Sequence, residues 1–179
     1  MSHCITQSRS AGFPETPRPP LVALAKRSVS VLFVDVVFKN PDDASIRSLL
    51  EGTRRIAVVG LSPKPDRDSH RVARYLQSHG YQVVPVYPRE QEILGETVYR
   101  RVQDIPGTID LVDVFRRGED LPEVTDDVLA GHARALWFQI GCVNEGAAER
   151  ASAAGLTVVM DRCIKVEHAR LLGPSWKRA

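Results

Sequence analysis

Residues 56–62 read Ile56-Ala57-Val58-Val59-Gly60-Leu61-Ser62: a short apolar run, then a glycine, then a hydroxyl. A run of four residues with no polar position is a strand buried on both faces, the kind that parallel sheets contain. Outward from it the pattern repeats. Val72, Tyr75 and Leu76 share one face of a helix that ends before Gly80. Further apolar strands are expected over 81–87, 109–115, 135–139 and 156–160. Helices are expected from about Asn144 to Ala154, stopped by Gly155, and from about Lys165 to Leu172. Upstream, Asn40-Pro41-Asp42-Asp43 reads as a helix start, with Asn40 as N-cap and Pro41 in the first position. Ile46, Leu49 and Leu50 give that helix its apolar face, and Gly52 closes it. Apolar strands separated by helices predict an α/β fold: a Rossmann-type doubly wound parallel sheet of about five strands, in three α/β/α layers with order 3-2-1-4-5.

The 179 residues suit one domain and a tail. Hydrophobic residues make up 43% and charged ones 26%, so a chain of this size buries a core without disulfides or metal. A net charge of +2 argues against a protein that coats nucleic acid, while 19 arginines against 5 lysines supply forked donors suited to phosphate. Cys4, Cys142 and Cys163 show no metal-ligand spacing, and so sparse a count fits a reducing compartment. The longest apolar run, Val29 to Phe38, is too short to span a bilayer, and no signal peptide is evident. A cytoplasmic protein with no membrane and no nucleic-acid partner is expected. Pro14, Pro17, Pro19 and Pro20 mark residues 1–36 as an N-terminal extension, disordered or dispensable, ahead of a domain at 37–179; Val29 to Phe38 has the composition to add an edge strand.

In open sheets of this type ligands bind beyond the carboxyl ends of the strands, here expected between the first and fourth. Gly60 allows a sharp exit, Ser62 offers a hydroxyl, and Ser69 is placed to cap the next helix. With Lys64 and Arg67, the loop makes an anion cradle in front of helix amides. It holds no GxGxxG and no GxxxxGK[ST], which argues against a dinucleotide turn and against a P-loop. The second strand ends Val84-Pro85-Val86-Tyr87-Pro88-Arg89, with an arginine rather than an acid beyond the tip, which suits a phosphorylated ribose.

These residues resemble the small bacterial CoA-binding proteins, similar in turn to the CoA-binding domain of the succinyl-CoA synthetase alpha subunit. The likeness is carried by Ile56 to Ser62, Arg67-Asp68-Ser69, Gly80-Tyr81 and Pro85 to Pro88, followed in order by Asp110 to Arg116, Trp137 to Gly141, Asn144-Glu145 and Asp161-Arg162-Cys163. It covers about Phe38 to Leu172, and Cys142 departs from the aliphatic residue more usual there. The resemblance implies coenzyme A or a short acyl-CoA as ligand. Ser62, Arg67 and the helix start at Ser69 would hold phosphates, beside Gly60 and Lys64. Pro85, Tyr87 and Arg89 would border the adenosine, with Arg89 on the 3′-phosphate. Phe115 and Arg116 would line the far side, Gln139 and Gly141 would let pantetheine pass, and Asn144 would begin the next helix.

Catalysis is not expected. His70 is the best-placed histidine; His79, His132 and His168 are read as helix-end cations suited to the dipole. Cys163 follows the fifth strand, at the edge where a CoA thiol would approach, and is read as a buried, unreactive side chain. The phosphohistidine and nucleotide-grasping parts of the synthetase belong to other domains. Two alternatives stay open: an NAD(P)-dependent oxidoreductase with Arg89 on a 2′-phosphate, and a CoA-responsive regulatory module whose protein partner the sequence does not name.

Overall fold

The computed structural model describes residues 38–178; residues 1–37, with the expected extension and nearly all of the expected edge strand, lie outside the described residues. The chain runs α1 (Asp43–Gly52), β1 (Arg55–Val59), α2 (Asp68–Ser78), β2 (Gln82–Val86), β3 (Glu92–Ile93), β4 (Glu96–Thr97) and β5 (Leu111–Val114). It continues with α3 (Leu121–Ala130), β6 (Ala135–Phe138), α4 (Glu145–Ala153), β7 (Thr157–Val159) and α5 (Ile164–Leu172). Five strands form one parallel sheet, and β3 and β4 pair separately as an antiparallel ribbon.

Side chains alternate along each strand and build a core on each face. Ala57, Val59, Val112 and Val114 face α3 and α4, meeting Leu121, Val128 and Ala148. Ile56, Val58, Leu111 and Trp137 face α1, α2 and α5, meeting Ile46, Leu76 and Ile164. The α/β/α layering expected from the apolar runs is therefore present. Among the described residues, no helix is long and apolar enough to cross a membrane.

The strand order corrects the expectation. It is β2-β1-β5-β6-β7; numbering the five expected strands in sequence, the third lies beside the first, giving 2-1-3-4-5 rather than 3-2-1-4-5. The reason lies in residues 87–110, which hold the β3–β4 ribbon and a 3-10 turn at Val102–Asp104 but no α-helix. Tyr99 touches the outer edge of β2 through a single bridge to Val86, and the chain then bends away at exposed Arg100 and Arg101 without adding a strand. Leu111–Val114 is buried at every position, which suits the middle of a sheet and not its rim. The order reverses between β1 and β5, so the crevice at the carboxyl ends of the strands opens there.

Two local expectations also change. Asp42, not Asn40, caps α1, its carboxylate accepting from the Ser45 N–H at 2.8 Å. Asn40 instead pairs with the backbone beyond β7: its amide donates to the Met160 carbonyl at 2.9 Å and accepts from the Met160 N–H at 2.7 Å. One side chain thus satisfies an exposed sheet edge. The helix α3 was not anticipated, although Leu121, Thr125 and Val128 bury one of its faces at helical spacing.

Two titratable groups are sealed in the core. Asp113 in β5 is fully buried, with one oxygen accepting from the Gln139 amide at 2.8 Å and the other without a partner among the described residues. Burial pushes its pKa up to about 8, against the lowering effect of the Gln139 bond. His168 corrects the helix-end reading: it sits in the middle of α5, fully buried, its ring meeting Tyr75, His79, Tyr81 and Trp176 edge-on. Burial, and after it His79, lowers its pKa to about 4, so it is a neutral imidazole rather than a cation at the helix dipole.

Two outcomes are expected. Asn40→Ala should lower the unfolding free energy by about 1–3 kcal/mol in a denaturant titration, because it strands both polar groups of Met160; unchanged stability would mean that water replaces the amide. The pH dependence follows from the buried pair. Asp113 binds its proton more tightly folded (about 8) than at its ordinary value of 3.8, so its share of stability falls as pH rises between them. His168 acts oppositely, losing stability as pH falls from 6.5 towards about 4. Above pH 6.5 the His168 slope fades and the Asp113 slope is the larger of the two. The melting temperature should therefore fall from pH 6.5 to 8, and Asp113→Asn should flatten that fall and melt higher at pH 8. Parallel profiles for the two proteins would show that Asp113 is ionised in the fold.

Candidate functional site

The sheet presents its carboxyl edge through loops tied to one another by short bonds. Gly60 leaves β1 at φ +82°, and a side chain there would collide with the Phe115 carbonyl oxygen. Its N–H donates to the Val86 carbonyl at 2.9 Å, so the exits of β2, β1 and β5 are held at one level. Leu61 next to it is fully buried and anchors the loop.

The following loop is braced from α2. The Ser69 hydroxyl accepts from the Ser62 N–H at 3.0 Å, and the Ser62 hydroxyl accepts from the Lys64 N–H at 3.2 Å. Ser69 therefore does not cap α2 as expected: it lies inside the first turn and props the loop. Arg67 occupies the cap position with no side-chain bond to the helix amides, leaving those donors facing outward. His70 touches the Ser62 carbonyl through Nδ1 at 3.0 Å. A carbonyl only accepts, so Nδ1 is the donor in this contact. Lys64 and Arg67 are exposed at the rim.

Past β2 the arrangement depends on Arg100. Pro85 lies inside β2, buried, opposite Val58. Its missing N–H falls on the outer edge, where Tyr87 N–H and Tyr99 N–H exchange bonds with Tyr99 and Pro85 carbonyls at 3.0 and 2.9 Å. Arg100 then donates to the carbonyls of Tyr87 and Arg89 at 3.2 and 3.4 Å. Arg101 pairs with Asp127 at 3.0 Å, whose other oxygen accepts from the Val102 N–H at 2.7 Å. Arg89 itself is exposed.

Two hollows of about 420 Å³ each meet at Arg116 and Asp120. The first has Val59, Val86, Val124, Tyr87 and Pro88 against Arg100, Arg101 and Arg116, with Asp120, Glu123 and Asp127 on the α3 side. The second is bounded by Phe115, Arg117, Ile140, Gly141 and Cys142. Together they form a groove from Tyr87 to Gly141 along the carboxyl edge. Of the residues expected at the site, Tyr87, Phe115, Arg116 and Gly141 line it. Gly60, Ser62, Lys64, Arg67 and Ser69 build the loop on its α2 side.

The remaining candidates have other contacts. Gln139 is buried and turned towards Asp113. Asn144 caps α4, accepting from the Ala147 N–H at 2.9 Å, and its amide donates to the Gly118 carbonyl at 3.0 Å. It thereby joins the loops after β5 and β6. Gly141 turns at φ +76° with open space beside it, its N–H on the Asp161 carboxylate at 2.8 Å. Cys163, expected to be buried, is instead half-buried at the cap of α5, whereas Cys142 is buried and burial pushes its thiol up. Arg100, Arg101 and the α3 acids were missed. The Arg100-Arg101 doublet was visible, but nothing local distinguishes it from ordinary surface arginines.

Residues 54–169 match the family described as CoA binding domain. An uncharacterized protein of Bacillus subtilis (strain 168), YneT, is 47% identical over 131 residues, covering 73% of this chain and 97% of that one. A solved structure of a hypothetical protein from Pyrococcus horikoshii OT3 is 40% identical with a TM-score of 0.72, covering 76% of this chain and 98% of the other. The alpha subunit of the ADP-forming acetate–CoA ligase II of Pyrococcus furiosus is 41% identical over 59 residues, which is 32% of this chain and 13% of that subunit. With its α/β sheet, its carboxyl-edge groove and a family match over most of its length, the chain belongs to the CoA-binding domain family.

Proposed function

We propose that this protein binds coenzyme A or a short acyl-CoA in the carboxyl-edge groove and performs no chemistry of its own. The observation that carries the reading is the junction of two unlike surfaces at the exits of β1 and β5. On one side the Ser62 loop and the uncapped start of α2 offer amides, Lys64 and Arg67 for a pyrophosphate. On the other, the groove from Tyr87 to Gly141 offers room and apolar contact for the two ends of the ligand. Pantetheine would pass Phe115 and Gly141, where Gly141 has no side chain and nothing beside it.

A binding role without catalysis is supported by how the titratable groups are used. His70 spends Nδ1 on the loop it braces, and Asp113 and His168 are sealed in the core. The protein is proposed to act in the cytoplasm on a small-molecule ligand, with no nucleic-acid partner.

Thermal melting with CoA, acetyl-CoA, dephospho-CoA, NADH and NADPH, each at about 1 mM, tests this. A ligand at about 100 times its dissociation constant adds roughly 2.7 kcal/mol, or several degrees for a domain of this size. Shifts with CoA and acetyl-CoA and none with the nicotinamides are expected. A shift with NADPH alone would overturn the reading.

A further inference from the structure

Resting on the CoA reading, we propose that the hollow between Tyr87 and α3 is a second anion subsite, in which Arg116 and Arg100 hold a ribose phosphate separate from the pyrophosphate on the Ser62 loop. Arg116 is half-buried and lines both hollows, and its guanidinium has no carboxylate or hydrogen-bond partner among the described residues. A guanidinium partly withdrawn from water with its donors unspent is suited to a phosphate, which it can engage through two parallel bonds. Arg100 is held by two backbone carbonyls, Tyr87 and Arg89. Those bonds fix its fork at the wall of the hollow without cancelling its charge. Arg101 differs, since Asp127 neutralises it. Two guanidinium groups without a direct ion-pair partner therefore line one hollow.

The rest of the lining narrows the ligand class. A volume of about 420 Å³ lies within the range of small-molecule pockets. Val59, Val86 and Val124, with Tyr87 and Pro88, give an apolar surface for a base. Asp120 and Glu123 on the α3 side are acceptors for a ribose hydroxyl or an exocyclic amine. Such a mixture fits a nucleoside carrying its own ribose phosphate, and it repels a polyanion that would bring charge to every wall. Arg89 lines neither hollow, and its backbone carbonyl is the part the site uses. The phosphate role expected of Arg89 from its place beyond β2 thus passes to Arg116 and Arg100.

Calorimetric titration of the full chain with CoA and with dephospho-CoA, which differ only in that phosphate, tests the assignment. The wild type should bind CoA about tenfold or more tightly than dephospho-CoA. The ratio should fall close to one in Arg116→Gln and drop at least about threefold in Arg100→Gln, through weaker CoA binding. Arg116→Lys should recover part of it. Arg116→Gln is the deciding variant, because its side chain anchors nothing in the unliganded fold. In competition, adenosine 3′,5′-bisphosphate should displace CoA better than AMP does. A wild-type ratio near one, or a ratio that survives both glutamine variants and collapses in Arg89→Gln, overturns the inference while CoA binding stands. Binding of neither ligand overturns the CoA reading and the inference with it.

Discussion

β1 leaves the sheet through a residue that has no room for a side chain. Gly60 stands at φ +82° against the Phe115 carbonyl, with its own N–H on Val86. A left-handed conformation costs an ordinary residue about 1–2 kcal/mol before any collision. Here the collision is with backbone, which cannot swing away as a flexible side chain would. Anything larger at 60 must separate the exits of β1 and β5. Tyr87 follows Val86, Arg116 follows Phe115, and the Ser62 loop follows Gly60 itself, so all three sides of the groove take their positions from this one contact.

The legible part of the fold was the local part. Apolar runs, caps and stop signals located the five main strands and four of the five helices, because each depends on neighbours within a few residues. Strand order does not. The orders 3-2-1-4-5 and 2-1-3-4-5 share one alternation of strands and helices, and residues 87–110 decide between them through a one-residue bridge at Tyr99. Asn40 shows the same limit on the scale of one side chain: its amide looks like a helix cap beside Pro41, yet its partner Met160 lies 120 residues away. Ser69 likewise chooses Ser62 over its own helix. At the site, Tyr87, Phe115, Arg116 and Gly141 were readable because they follow strands. Arg100 and Arg101 follow an irregular segment, and only the fold separates them from the other exposed arginines.

Asp113 and Gln139 sit where the backbone ladder between β5 and β6 gives out. The Gln139 N–H makes a ladder-like bond to the Val114 carbonyl at 3.2 Å, and its side chain turns back to Asp113. The link continues the β5–β6 connection past the last strand pair, directly before Ile140 and Gly141 enter the groove. A buried acid is an expensive tie, since its second oxygen has no partner among the described residues. Protonation lowers that cost by removing the charge, which is why the raised pKa and the geometry belong together. The same reasoning holds for neutral His168, whose Nδ1 meets the Tyr75 hydroxyl at 3.0 Å.

The groove's charge is arranged rather than accumulated. Three arginines and three acids line its first hollow, in a chain whose net charge is only +2. Long-range steering of an anion by so small a net charge is weak, and salt screens it within about 10 Å. Recognition must therefore come from short contacts made after arrival. That favours a ligand whose charges sit at fixed intervals along a partly apolar frame, each matched to its own donors. A diffuse polyanion would meet Asp120 and Glu123 as readily as Arg116, and the attraction would cancel. On the proposed reading, the balance of signs that makes the surface look ordinary in composition is thus what would give the groove its selectivity.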